Sequence, residues 1–349
     1  MKTAVGQGAT FDGIQYLRAI AALMVVVHHA RHYYGEVPGW TDFGSRGVDI
    51  FFVISGFIMV HATRAFDPVR DAGQQALDFF VRRAIRVVPL YWLALLYQNR
   101  SFFLEGNVGL GILADFLFVP RYSWTFPTQI WPTLVPGWTI NYEMLFYLLF
   151  GLALLFGRRR YAALVGAIGV LVLIGGIWSF ESAPLKFWTD SVLGEFALGV
   201  GVYFLFSRSQ WVPGRGLLWA AMLLGIAGLA VPNQGVPRLL ADGPFAAMVV
   251  WSGLFLGRFL KPRRGLSLLG DASYSIYLTH VFAFPPCYAL CNALGLADPT
   301  PANIALALGL CTTVAVALGV AVHLFIEKPL LRLLQGAWRA KARRSVAVA

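Results

Sequence analysis

Ionisable side chains inside apolar runs are costly and mark functional candidates. In this sequence the candidates singled out are Arg18, His28, His29, His32, Asp49, Glu143, Glu195, Asp271, His280, His323 and, at the end of the last run, Glu327. Arg18 and His29 are eleven residues apart on one run, about 16 Å of helix, so they lie at opposite depths. Asp49 opens the next run, which returns across the membrane, and so comes to the level of His29. A carboxylate beside an imidazole fixes its tautomer and stabilises the imidazolium, as a general base requires. Glu143 falls about 9 Å below the start of a run that begins near Gly137, and can reach the same level from above the midplane. The second group is cationic. Arg83 and Arg86, at i and i+3, share a helix face at the mouth of the third run, close in depth to Arg18. Three guanidiniums there suit a phosphate-bearing ligand arriving from the cytoplasm. The chain has neither a P-loop nor a GxGxxG turn to hold phosphate in another way.

Plainer roles remain open for each residue. Arg83 and Arg86 fit equally as positive-inside anchors, Arg18 as a snorkelling side chain, and His29 as a satisfied structural histidine. Glu143, Glu195 and His280 could serve only to join helices, and Glu327 with Lys328 an interfacial ion pair. His28 and His32 share a face but lack an acidic ligand at zinc-type spacing, so no metal is expected. Cys287, Cys291 and Cys311 sit in apolar stretches without metal spacing and say little about redox compartment.

The elements that must position these groups are membrane helices. Of 349 residues, 58% are hydrophobic and only 13% charged, with mean hydropathy +0.66, about half the charge of a soluble domain. A soluble globular fold is excluded. Ten runs approach the roughly 20 apolar residues a spanning helix needs: 14–33, 47–63, 87–104, 137–156, 161–179, 189–206, 216–231, 243–260, 271–293 and 302–326. The patch 108–119 is too short and ends at Pro120, which puts it in a re-entrant or interfacial loop. No small-residue cleavage pattern follows the first run, so it is a retained helix. In this arrangement 21 Lys and Arg lie on one side and 6 on the other, which makes both termini cytoplasmic. That split, and not a nucleic-acid partner, accounts for the net charge of +11. The expected fold is an all-α integral membrane protein, a bundle of about ten transmembrane helices. It forms a single membrane-embedded domain, 1–349, with spans within 14–326 and a basic cytoplasmic tail, 327–349. No internal repeat of the kind found in two-half transporters stands out.

Six segments, in order, carry a family likeness: Ile14-Gln-Tyr-Leu-Arg18 with His29 beyond it; Gly47-Val-Asp-Ile-Phe-Phe-Val-Ile-Ser-Gly-Phe57; Arg83-Ala-Ile-Arg86 with Pro89; Gly137-Trp-Thr-Ile-Asn-Tyr-Glu143 with Phe146-Tyr147; Ser273-Tyr-Ser-Ile-Tyr-Leu-Thr-His280; and Glu327-Lys-Pro329. With them the chain resembles the acyltransferase-3 family of integral membrane acyltransferases, particularly those that modify bacterial exopolysaccharides. One departure is Gln15, where many members have Asp nearby.

The resemblance implies transfer of an acyl group, usually acetyl, from cytoplasmic acyl-CoA to a sugar hydroxyl in the bacterial inner membrane. Acetyl-CoA would be a donor substrate, with no resident cofactor. The resemblance ties Arg18, His29, Arg83 and Arg86 to activity. His29 with Asp49 and Glu143 would be the catalytic group, and Arg18, Arg83 and Arg86 would bind acyl-CoA. Tyr147, Tyr274 and His280 would support the acceptor or the site. The partners expected are acyl-CoA, a polymeric or lipid-linked glycan, membrane lipids and the polysaccharide-synthesis machinery. Two other readings use the same buried charges: a secondary transporter exporting a glycan precursor, and a non-catalytic subunit of a polysaccharide-synthesis complex.

Overall fold

A computed structural model describes residues 7–35, 42–66, 71–106, 109–208, 213–261 and 263–348. Lys2 and Arg70, both in the basic count, and Val108, which opens the 108–119 patch, lie outside these residues. Among the described residues every regular element is helical. The long helices are α1 (Gln7–Ala30), α2 (Gly47–Ala62), α3 (Ala72–Gln98), α4 (Gly137–Leu154), α5 (Arg160–Ile177), α6 (Gly194–Arg208), α7 (Arg215–Leu229), α8 (Gly243–Leu256), α9 (Ser273–Ala293), α10 (Pro301–Val322) and, after a π-turn at His323–Glu327, α11 (Lys328–Val348). Each of the ten apolar runs therefore contains a helix. Among the described residues, five helical stretches are long and apolar enough to cross a membrane: Asp12–Tyr34, Asp42–Ala62, Gly157–Ile177, Ala183–Arg208 and Pro301–Lys341. Arg215–Leu229 and Gly243–Phe259 are apolar but shorter. The molecule is an all-helical membrane protein.

The third helix departs from the expected 87–104. It begins at Ala72, where the Asp71 carboxylate caps the free amides of Gly73 and Gln74 at 2.8 and 3.3 Å. Its first turns are too polar for an apolar-run criterion to detect. It stops at Gln98 because the side chain of buried Asn99 turns back to the Leu95 carbonyl and also donates to Thr133 Oγ1. In the loop beyond, the 108–119 patch holds one short helix, Leu110–Phe116. Asp115 and Arg121 join there through two bonds of 2.9 Å, and the amide and hydroxyl of Thr133 donate to the same carboxylate. This staple satisfies loop groups that lipid could not.

The chain divides into two compact units, Met1–Ala65 with Ser191–Val320, and Phe66–Asp190 with Ala321–Ala349. In the first, α1, α2, α6 and α8 bury a core that includes Leu17, Ile50, Val53, Phe57, Val202 and Val250. A second cluster sets α1 against α9 and α10 through Ala22, Val26, Ile276, Ala283, Cys287 and Ala315. The three cysteines are buried and unbridged. Small residues set the closest approaches: a Cβ on Gly56 would lie 2.1 Å from the Phe196 carbonyl oxygen, and one on Gly47 2.4 Å from that of Ala21. Gly47 thus seats the start of α2, with Asp49, directly on α1. In the second unit Phe79 of α3 stacks on Phe150 of α4, centroids 4.9 Å apart, and Trp338 of α11 donates to Asp78 of α3 at 2.8 Å.

Candidate active site

In the first unit the apolar face of α1 ends where Ala22 and Val26 pack against α9, and the next turn delivers His29 to the same neighbour. His29 Nδ1 lies 3.0 Å from the Val25 carbonyl oxygen and 3.1 Å from Nε2 of His280. The two rings are 4.9 Å apart. His280 is fully buried, and its Nδ1 is 2.6 Å from the Tyr277 carbonyl oxygen. His29 itself is half-buried, and its other ring nitrogen makes no hydrogen bond among the described residues. Tyr288 donates to the His29 carbonyl at 3.3 Å. The rings of His28 and His32 stand 5.1 and 6.0 Å from that of His29. Among the described residues, no group of three His, Cys, Asp or Glu side chains is arranged to hold a metal ion.

Asp49 is not the partner of His29, which corrects the sequence expectation. Its buried carboxylate receives Nη2 and Nε of Arg238 at 2.6 and 3.2 Å. The fully buried Glu195 of α6 is an electrostatic neighbour of both. Arg46 extends the network to Asp242 at 3.2 Å and to Asn233 at 2.8 Å, and Asn233 donates to Asp242 at 2.7 Å. Burial pushes the Asp242 carboxyl above its ordinary range, with Asp49 adding to the shift and the Asn233 amide opposing it. The physical reason for the correction is charge: a buried carboxylate takes the guanidinium within reach before a neutral imidazole. Sequence spacing misses Arg238 because it sits 189 residues from Asp49, on a short loop helix, Arg238–Ala241.

In the second unit Arg83 and Arg86 do share the face of α3 that their spacing implies. Arg86 Nη1 pairs with Glu327 at 2.5 Å, and the other Glu327 oxygen is 2.7 Å from His323 Nδ1. Glu327 is therefore a partner of Arg86 more than of Lys328, and the i, i+4 spacing of His323 and Glu327 is the signal that could have revealed it. The Arg83 guanidinium lies 5.9 Å from the centre of the Phe79 ring, with its Nε buried and unbonded. Glu143 accepts from Tyr147 at 2.5 Å, and Tyr147 is an electrostatic neighbour of Arg83 and Arg86. Within its unit, Glu143 thus keeps company with the cationic group. One turn of α4 separates it from Tyr147, and α4 packs on α3. Arg18 lies half-buried on α1 of the first unit. Tyr274 is half-buried in the first turn of α9, and it is the carbonyl of Tyr277, one turn on, that meets His280.

A half-buried histidine held through one ring nitrogen is suited to proton transfer. Residues 11–322 match a family model described as an acyltransferase domain. The chain belongs to the acyltransferase-3 family. It is 36% identical over 324 residues to the exopolysaccharide production protein ExoZ of Rhizobium meliloti, covering 87% of this chain and 93% of that one. The acyltransferase MdmB of Streptomyces mycarofaciens is 26% identical, covering 93% and 92%. The putative membrane-bound transacylase BcsY of Komagataeibacter xylinus is 28% identical, covering 76% and 71%. No solved structure matches.

Proposed function

We propose that this protein is an O-acyltransferase that moves an acetyl or other short acyl group from cytoplasmic acyl-CoA to a hydroxyl of an exopolysaccharide or other cell-surface glycan, with His29 as general base. The observation that carries the reading is the state of His29. Its ring is held at Nδ1 by Val25 and His280, while Nε2 makes no hydrogen bond among the described residues. That leaves a lone pair for the acceptor hydroxyl proton. The acceptor oxygen attacks the thioester carbonyl, the C–S bond breaks, and the departing thiolate takes up the proton. The cysteines are buried in packing clusters and supply no activated nucleophile, which favours direct transfer.

Arg83 and Arg86 are the proposed holders of the donor's phosphates. A guanidinium with a buried, unbonded Nε gains most from a phosphate oxygen, and Arg83 is in that state. The likeness to the exopolysaccharide production protein ExoZ, at 36% identity, supports an exopolysaccharide acceptor. We place the chain in the bacterial inner membrane with ten spans and both termini cytoplasmic, on the 21 to 6 distribution of Lys and Arg.

The test is incubation of membranes containing the protein with radiolabelled acetyl-CoA and candidate glycans, followed by alkaline release of label from the product. Ester-bound label that depends on the protein supports the reading. Its absence with every donor and glycan removes it.

A further inference from the structure

A carbonyl oxygen can only accept a hydrogen bond. The Tyr277 carbonyl is 2.6 Å from Nδ1 of His280, so that nitrogen carries a hydrogen. The Val25 carbonyl is 3.0 Å from Nδ1 of His29, so that nitrogen carries one as well. His280 Nε2 then faces an N–H at 3.1 Å and must present its lone pair, which requires a neutral His280 ring. His29, with its hydrogen on Nδ1, is left with a bare Nε2.

From this chain of bonds we infer that His280 is a positioning residue that, as a second acceptor beside the Val25 carbonyl, holds His29 in the tautomer and orientation a base needs. This assignment rests on the acyltransfer reading for its catalytic meaning, but the tautomer stands on geometry alone. His280 takes the place a carboxylate holds in a Ser-His-Asp triad. When His29 accepts a proton at Nε2, its Nδ1–H becomes part of a cation and its bond to His280 strengthens. The carboxylate that the sequence would nominate for this task, Asp49, is already bound to Arg238. A neutral partner suits an apolar site. A second full charge beside His29 would need its own counterion, whereas an imidazole buried among helices needs only the Tyr277 carbonyl.

The pair also has mechanical support. Phe284, one turn beyond His280, lies edge-on to the imidazole at 5.5 Å, and Tyr288 follows in parallel with Phe284 at 5.7 Å. Since Tyr288 in turn donates to the His29 backbone carbonyl, α9 grips this turn of α1 at both ends of the imidazole pair. His28 and His32 have no such partner on α9: their ring contacts are with each other and with His29.

The experiment combines spectroscopy with kinetics on the full-length protein in lipid. Nitrogen-15 solid-state NMR of histidine-labelled protein, with His29 assigned by difference against His29→Gln, is expected to find its hydrogen on Nδ1. His280→Leu leaves the Val25 carbonyl as the one remaining acceptor, so it should raise the share of the other tautomer and lower kcat by about 10²-fold, with KM for acyl-CoA within about twofold, since the donor's binding groups are untouched. His280→Gln, whose amide oxygen can accept from His29, should regain at least about tenfold of that loss. A merely structural His280 would give no such recovery and no tautomer change. The inference is overturned if His29 of the unsubstituted protein carries its hydrogen on Nε2, or if His280→Leu turns over at the original rate. If no acyl transfer is found with any donor, the proposed function fails, while the NMR spectrum still decides the tautomer lock.

Discussion

Arg238 Nη2 lies 2.6 Å from the Asp49 carboxylate, which is wholly buried at the head of α2. The pair anchors the short loop helix Arg238–Ala241 to the turn of α2 that Gly47 seats on α1. Asp49 is therefore a structural charge. Removing one partner of a buried ion pair costs roughly 3–5 kcal/mol, and Arg238, a quarter exposed, points to the lower end. Arg238→Met should lower the thermal midpoint of the protein in detergent clearly. Asp49→Asn should do the same, and the double substitution should lose less than the sum of the two. Additive losses would mean that the pair is not coupled.

Arg83 and Arg86 should separate under mutation although they share a face. Arg83→Ala removes a side chain with no ion pair among those described, so stability should change by less than about 0.5 kcal/mol. The KM for acyl-CoA should rise about tenfold or more, with an effect that shrinks at high salt. Arg86→Ala strips the counterion from buried Glu327 and should lower stability as well as donor affinity. Thermal denaturation and donor titration of the two purified variants, side by side, check this. Equal stability losses would contradict the division of roles.

The α11 helix is held to α3 by Trp338 and Asp78. Burial opposes the charge of Asp78, but the hydrogen bonds from Arg82 and Trp338 outweigh it and hold the carboxyl below its usual range. A depressed carboxylate contributes stability that is fully present above its unfolded pKa and is lost as pH falls through the folded value. The docking should therefore be complete at neutral pH and loosen only in acid below the ordinary carboxylate range. Asp78→Asn should expose the Arg339 and Lys341 bonds to trypsin at neutral pH severalfold faster. An unchanged cleavage rate would remove the contact from the account.

Reporter fusions after Ala30 and after Gly295 should read as external, and fusions after Arg160 and after Ala349 as internal. An external reading at Arg160 would mean that the register of spans is wrong.

The helical class and the ten helix positions are legible in the sequence because apolar length is a local property, and Arg83 with Arg86 because i, i+3 spacing is local too. The start of α3 is not legible as an apolar run, since Gln74, Gln75, Asp78, Arg82, Arg83 and Arg86 interrupt residues 72–86, and the Asp71 cap is the local mark of where the helix begins. Partners are harder still. Asp49 and His29 suit each other by depth, yet depth says nothing about azimuth around the bundle, and a guanidinium 189 residues away claims the carboxylate. The neighbours of Glu143 are hidden in the same way: that Tyr147 and the arginine pair are its company is decided by the packing of α4 on α3. His280 stands among the candidates for support, but its contact with a residue 251 positions earlier is set by how α9 lies on α1.

The central claim is that His29 is the base. Its sharpest test compares His29→Ala with His28→Ala in single-turnover transfer from radiolabelled acetyl-CoA, with donor binding measured on the same preparations. His28 is the control because it points about 100° away on the helix and has no bond to His280. The account predicts that His29→Ala still binds acetyl-CoA but loses transfer by roughly 10²–10⁴-fold, while His28→Ala retains most activity. Full transfer by His29→Ala would contradict it.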